Sequence, residues 1–400
     1  MAAEQDEAKF LDQERQNRIK KEMMMKAPLA KLLIALFAAL LPLQASFGQT
    51  PDETSQVDTV AQKAIAYLKS TGLNSENGSY SEFAGPAVTA LVTTAMLKHG
   101  EKVDDADIAK SLEYLKTFIQ PDGGIYKPNS IYKNYETCLA ILCFAEANAD
   151  GRYDELIKQA AGYTQGTQWA EGRQVKESDD RFGGFGYGKH ARPDLSNTSY
   201  AIDALVAAGV DPNSVEMQRV LKFVSRSQNL ESEHNKLPFA AKADKDSVGG
   251  FIYTPSGGGE TKVESASVGG GLRSYGSMTY AGLKSMLYAG VDQDDIRVQA
   301  AIDWIRMHYN LKNNPGMGPE GLYYYYHLFA KALDAVGQDT FVDAEGVTHN
   351  WREELLAELA SRQADDGSFT NQASDRWMEG DPNLVTGYVL LALSYCQEDP

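Results

Sequence analysis

From residue 56 onward, the apolar positions fall into two alternating kinds of segment. The first kind is amphipathic with helical spacing: Ala64, Ile65 and Leu68; Leu112, Leu115 and Phe118; Leu221 and Val224; Ile302 and Ile305; Leu355, Leu356 and Leu359. Charged residues fill the other faces, so each segment predicts a helix with one wet side. The second kind is apolar nearly all round, as in Ala-Leu-Val-Thr-Thr-Ala-Met from Ala90, Ala-Ile-Leu-Cys-Phe-Ala from Ala140 and Val-Leu-Leu-Ala-Leu from Val389. Such helices need cover on every side and predict a buried layer.

The buried segments share a register. A Thr opens each and a Gly closes it: Thr89 to Gly100, Thr198 to Gly209, Thr279 to Gly290. Thr137 and Thr386 open the second and sixth copies, and Tyr326 with Gly337 takes these places in the fifth. The Thr fits an N-terminal cap or first-turn position, and the Gly a left-handed C-terminal cap. Before the buried segments a loop motif recurs: Gln120-Pro-Asp-Gly-Gly-Ile-Tyr126 returns as Gln363-Ala-Asp-Asp-Gly-Ser-Phe369. Asn74-Ser-Glu-Asn-Gly-Ser-Tyr80 keeps the frame, and Gly183-Gly-Phe185 and Gly249-Gly-Phe251 are looser copies.

Six pairs of one half-wet and one buried helix predict an all-α fold, a closed (α/α)6 toroid forming a single domain over 56–400. Closure leaves no exposed terminal repeat in need of a cap. Insertions in unit three (Gln165 to Asp180) and unit four (Leu230 to Val248, Ser256 to Ser277) lengthen one rim, where function commonly resides.

Residues 1–48 stand apart. Lys26 and Lys31 precede an apolar run from Leu32 to Leu43, and Ala45, Ser46 and Gly48 follow. This is the layout of a secretory signal peptide, implying a secreted or periplasmic protein; an uncleaved membrane anchor is the alternative. Translation starting at Met23, Met24 or Met25 gives the more usual signal length. The net charge of −17 disfavours nucleic acid as a partner. Cys138, Cys143 and Cys396 make no disulfide framework and read as buried small apolar residues.

The Gln-x3-Gly-x-aromatic segments resemble the "QW" motif of the prenyltransferase/squalene-oxidase repeat superfamily, with Tyr or Phe where Trp is usual. The resemblance runs from about Gln56 to the C-terminus and implies an α/α toroid related to triterpene cyclases, protein prenyltransferase β subunits and thioester-containing domains. It does not carry their chemistry over. Class II cyclases place D-x-D-D-T at the start of an inner helix, the middle Asp protonating an alkene. Here the segment is Asp194-Leu-Ser-Asn-Thr198, with Ser196 at the donor position and Asn197 for the last Asp. Neither can protonate an unactivated double bond. A literal D-x-D-D at Asp292-Gln-Asp-Asp295 follows Gly290 on the other rim and reads as a helix cap. The prenyltransferase zinc set needs a His before the inner-helix Thr; Val88, Glu136, Asn197, Met278 and Val385 stand there, so no metal and no other cofactor is expected. The thioester segment G-C-G-E-Q is absent.

Inner-helix N-termini converging on one rim favour an anion. Lys189, His190 and Arg192 before Asp194, and Arg273 before the fourth inner helix, supply cations there. Tyr200, Tyr275, Tyr280, Tyr325 and Trp377 are candidate walls of an aromatic cavity for an isoprenoid or a sugar. Asp194 and Asn197 are the candidate catalytic pair at its polar centre. Three functions follow: an isoprenoid-related enzyme or binder of a large apolar or anionic small molecule in the barrel; a scaffold binding a protein or glycan through the rim loops; or, using Glu136, Asp375, Glu379 and Asp381, a glycan-processing enzyme.

Overall fold

The computed structural model describes residues 56–264 and 268–397, so the leader-like segment lies outside the described residues. Helix pairs follow one another: α1 (Gln56–Tyr67) and α2 (Pro86–Lys98), α3 (Ala106–Lys116) and α4 (Lys133–Glu146), α5 (Asp154–Thr167) and α6 (Leu195–Ala207), α7 (Val215–Arg226) and α8 (Gly276–Tyr288), α9 (Ile296–His308) and α10 (Leu322–Val336), α11 (Trp351–Arg362) and α12 (Pro382–Leu393). The even-numbered helices form an inner ring. Each packs on the next in chain order, and α12 returns to α2. The odd-numbered helices lie outside them, and α11 meets α1 across the closure. A small hairpin, β1 (Thr340–Val342) with β2 (Thr348–Asn350), leads into α11. The fold is the expected all-α (α/α)6 toroid.

The two layers follow from composition. Helix α2 is buried from Pro86 to Met96, whereas α7 buries Met217, Val220, Phe223 and Val224 on one side and wets the other. Gly100, Gly209, Gly290 and Gly337 close inner helices with φ between +73° and +90°, as expected of left-handed caps.

The shared Thr has a different task from the one expected. It lies inside the helix and accepts the N–H of the loop motif's apolar residue at 2.9–3.1 Å: Tyr80 to Thr89, Ile125 to Thr137, Phe185 to Thr198, Phe251 to Thr279 and Phe369 to Thr386. It pins loop to helix rather than capping it. In the fifth unit the Tyr326 hydroxyl donates instead to the Leu311 carbonyl at 2.5 Å.

This pinning sets the true frame of the motif. The glycine two residues before each pinned residue has φ between +81° and +90°. It also abuts the next outer helix: a Cβ would lie 1.9 Å from the Arg219 carbonyl oxygen at Gly183 and 2.3 Å from that of Lys63 at Gly367. Only glycine meets both demands. In the second unit the frame is therefore Gly123 to Ile125, one residue earlier than the Gln120 spacing suggests. Gln168, Gln228 and Gln363 each donate to their own motif glycine's carbonyl and to a carbonyl of the next outer helix, Glu216, Arg297 and Val60 respectively. Gln120 only braces its own loop.

The described residues of the insertions carry cores of their own. Phe182 packs with Ala170 and Val175, and Phe239 with Ala240 and Ile252, in two satellite clusters. Gln165 itself still belongs to α5. Asp295 caps α9 by accepting from the Arg297 N–H at 2.8 Å, as read from the D-x-D-D segment. All three cysteines are free and buried.

Candidate functional site

The Thr register doubles as a ruler through the bore. The residues two places before it are Ala87, Tyr135, Ser196, Ser277, Tyr324 and, before Thr386, Leu384. All six line a cavity of about 560 Å³ at the N-terminal mouth of the inner ring. Ser196 Oγ and the Tyr324 hydroxyl meet across it at 2.9 Å. Tyr200 and Tyr388, two places after their Thr, form the next layer: Tyr135 meets Tyr200 edge-on at 5.2 Å and Tyr324 stacks on it at 6.1 Å. Burial holds the Tyr200 and Tyr388 hydroxyls far above the usual tyrosine pKa, so this floor is neutral.

Loops supply the mouth. Phe83, Ile131, Tyr132, Trp377 and Met378 all line it and remain 39–71% exposed. An apolar collar gathered at one opening is more than scattered surface hydrophobicity. Asn129, Trp377 and Met378 hold left-handed φ values of 57–66° without being glycine. That conformation costs roughly 1 kcal/mol or more each and occurs where surroundings over-determine the chain. Arg376 lies over the Trp377 ring at 4.4 Å and pairs with Glu320.

Four acids of this rim, Asp194, Glu379, Glu136 and Asp381, are engaged as structural acceptors. Asp194 caps α6: Oδ1 accepts the Asn197 N–H and Oδ2 the Asn197 Nδ2–H, both at 2.8 Å. Burial pushes its pKa up to about 6. It is not in the cavity wall; Tyr253, which is, interacts with its carboxylate from that side. Glu379 reaches the cavity but accepts the Tyr323 and Tyr324 N–H groups at 2.9 Å, capping α10, and Asn371 Nδ2 at 2.7 Å. Burial raises it to about 6. Glu136 accepts from the Lys127 N–H at 2.8 Å and Ser130 Oγ at 2.5 Å, and burial raises its pKa too. Asp381 caps α12, and Asp375 is exposed.

The remaining candidates separate. Tyr200, Tyr275 and Trp377 line the cavity. Tyr280 and Tyr325 do not: they are fully buried among Phe329 and one another, with the Tyr325 hydroxyl on the Asn310 carbonyl at 2.7 Å. The proposed cation set does not assemble on the cavity either. Lys189 and His190 are exposed, Arg192 pairs with Glu260 at 2.6 Å, and Arg273 is outside the lining. Lys262 lines it instead, over the Tyr253 ring at 4.2 Å and paired with Glu260. Phe83, Ile131, Tyr253 and Met378 lacked a sequence signal, since loop direction decides their place. Among the described residues, no group of three or more His, Cys, Asp or Glu side chains converges as a metal site.

Residues 76–243 match the model of the squalene-hopene cyclase C-terminal domain family. Solved structures similar to the chain include a variant of the type II terpene cyclase MstE from Scytonema in complex with its product merosterolic acid A, 16% identical, TM-score 0.49, covering 85% of this chain and 96% of that one. A second variant of that enzyme, bound to the substrate geranylgeranyl dihydroxybenzoate, is 15% identical with a TM-score of 0.48 over the same shares. No curated protein matches at a significant level. The family match over residues 76–243, with a ring of Gly-aromatic loops pinned to buried helices, supports the resemblance to the prenyltransferase/squalene-oxidase repeat superfamily.

Proposed function

We propose that the chain binds an isoprenoid or a similarly large apolar molecule in the cavity at the N-terminal mouth, and that it does so without protonating it. One observation carries this reading: the position of the cyclase proton donor, two residues before Thr198, holds Ser196, whose hydroxyl faces the cavity against Tyr324. A hydroxyl paired with a phenol can orient a ligand's polar end but cannot acidify an alkene. Asp194, two residues before it, is used as a helix cap outside the wall. The family match supports the isoprenoid class, and the apolar collar supports entry of a hydrocarbon chain. The signal-like leader adds that binding takes place outside the cytoplasm.

The test uses Trp377, the tryptophan in the cavity wall. Burying a twenty-carbon prenyl chain there is worth enough, after association costs, for affinity on the order of micromolar. Geranylgeraniol should change the fluorescence saturably, Trp377→Phe should remove the response, and Ser277→Trp should block the cavity. No saturable change, and no apolar molecule retained on the protein purified from its native source, would sink this reading.

A further inference from the structure

The bore has a second opening at the C-terminal ends of the inner helices, with a cavity of about 480 Å³. Tyr200 lines both cavities, so little more than its layer separates them. The chemistry here is unlike that of the first mouth. Five residues past the shared Thr place stand Asp203 on α6, Lys284 on α8 and Lys331 on α10. Asp203 Oδ1 accepts from Lys284 Nζ at 2.5 Å, and Oδ2 from Lys331 Nζ at 2.7 Å. Lys284 also donates to the Ser199 carbonyl at 3.2 Å and is wholly buried.

One lysine would neutralise Asp203, so the cluster carries a surplus cation. Lys98 and Glu146 at the edge pair with each other at 2.9 Å and leave the balance unchanged. The carbonyl ends of the inner helices favour a cation at this mouth, but Lys331 Nζ donates to no carbonyl. Asp203 takes one of its three N–H groups, Nζ also lies 5.5 Å from the centre of the Tyr288 ring, and Lys331 lines the cavity. Burial opposes its charge, and Asp203 more than offsets this, so it stays protonated. A second observation points the same way. His327, 5% exposed and in the same wall, has a buried Nδ1 with no hydrogen-bond partner. Burial holds that ring neutral, its pKa down to about 3, so the unsatisfied nitrogen adds no charge of its own. A buried cluster with one cation in surplus, beside an orphaned polar atom, is costly unless something completes it. The wall also carries Leu91, Leu139, Leu142, Val206 and Leu391, interspersed with Thr94, Asn148, Tyr200, Tyr288 and Tyr395.

We propose that this mouth is a second ligand site, for an amphiphilic carboxylate whose head accepts from Lys331 beside His327 and whose chain lies on the leucine wall. It is separate from the site at the first mouth and does not rest on it.

The experiment is calorimetric titration of the purified chain with decanoate, decan-1-ol and inorganic phosphate. Decanoate should bind with one-to-one stoichiometry and at least tenfold tighter than decanol, the margin of one charge-assisted hydrogen bond. Lys331→Met should weaken decanoate about ten- to a hundredfold. Val206→Phe, which narrows the cavity without touching a charge, should weaken it as well and keeps the test decisive if the lysine variant does not fold. Neither variant should alter the Trp377 response to geranylgeraniol. Equal affinity for decanol and decanoate, or unchanged decanoate binding in the variants, overturns the site. Phosphate binding in preference to decanoate overturns the carboxylate assignment.

Discussion

The Asp203 cluster makes an asymmetric prediction about stability. Asp203→Asn leaves two lysines, both ordered on one carboxylate at 2.5 and 2.7 Å, facing a neutral amide in a buried site. Removing one partner of a buried ion pair costs about 3–5 kcal/mol, and here two cations lose theirs. The melting temperature should fall by on the order of 5 °C or more for a domain of this size. Lys284→Met should behave oppositely. It keeps the Asp203–Lys331 pair and removes the surplus charge. Burial pushes the Lys284 pKa down to about 8 from 10.5, equivalent to about 3 kcal/mol of strain in its charged form. Against that stands the lost bond to Ser199, about 1 kcal/mol. The net expectation at pH 7 is no loss, or a gain of roughly 1–2 kcal/mol. The sign of the pH effect follows. Between pH 8 and 10.5 the unfolded chain binds more protons at Lys284 than the folded one, so wild-type stability rises with pH there, and the Met variant lacks that rise. Urea unfolding followed by circular dichroism at pH 7 and 9.5 measures both. Equal losses in the Asn and Met variants would refute the charge arithmetic and leave the cluster a packed unit.

Asp194 and Glu379 predict a second pH effect of opposite sign. Both pKa values are raised to about 6, so both groups favour the folded state below about pH 4, and that contribution is lost as pH rises through 6. Unfolding midpoints should therefore fall between pH 4.5 and 7, and Glu379→Gln, which keeps the acceptor for the α10 N–H groups, should flatten part of the slope. Gly183→Ala combines a left-handed φ of 88° with a Cβ 1.9 Å from the Arg219 oxygen, and should cost roughly 2–4 kcal/mol by chemical denaturation; an unchanged midpoint would mean the loop is not held against α7.

The ring was legible because each unit repeats physical demands, not merely letters. Glycine at the C-terminal caps and glycine against the next outer helix are steric requirements that sequence records directly. The second unit's frame slipped because Gly123 and Gly124 stand side by side and it is Gly124 that keeps the spacing from Gln120 and to an aromatic residue. The Thr was misread because a hydroxyl near a helix start suits a cap equally well until the loop's partner is known. Tyr280 and Tyr325 could not be told from Tyr324 by pattern, since a helix apolar all round does not reveal which face looks into the bore. The charge cluster was missed in the sequence although Asp203, Lys284 and Lys331 stand at one register of three successive inner helices, because their mutual contact needed the fold.

Ring closure also bears on how the molecule opens and closes in time. The Gln168 bond to Glu216 bridges 48 residues of chain, whereas the equivalent Gln363 bond to Val60 bridges 303. The chemistry is the same, but the longer loop costs about 1.5 kcal/mol more in chain entropy. Chain entropy alone therefore predicts that the seam between the sixth and first units is the last to zip during folding and the first to part in the native state. Amides along α12 and α1 should exchange ahead of those in α6 and α8. Breathing at that seam would widen the bore beside Trp377 and Leu384, giving a bulky ligand a second way in besides the apolar collar.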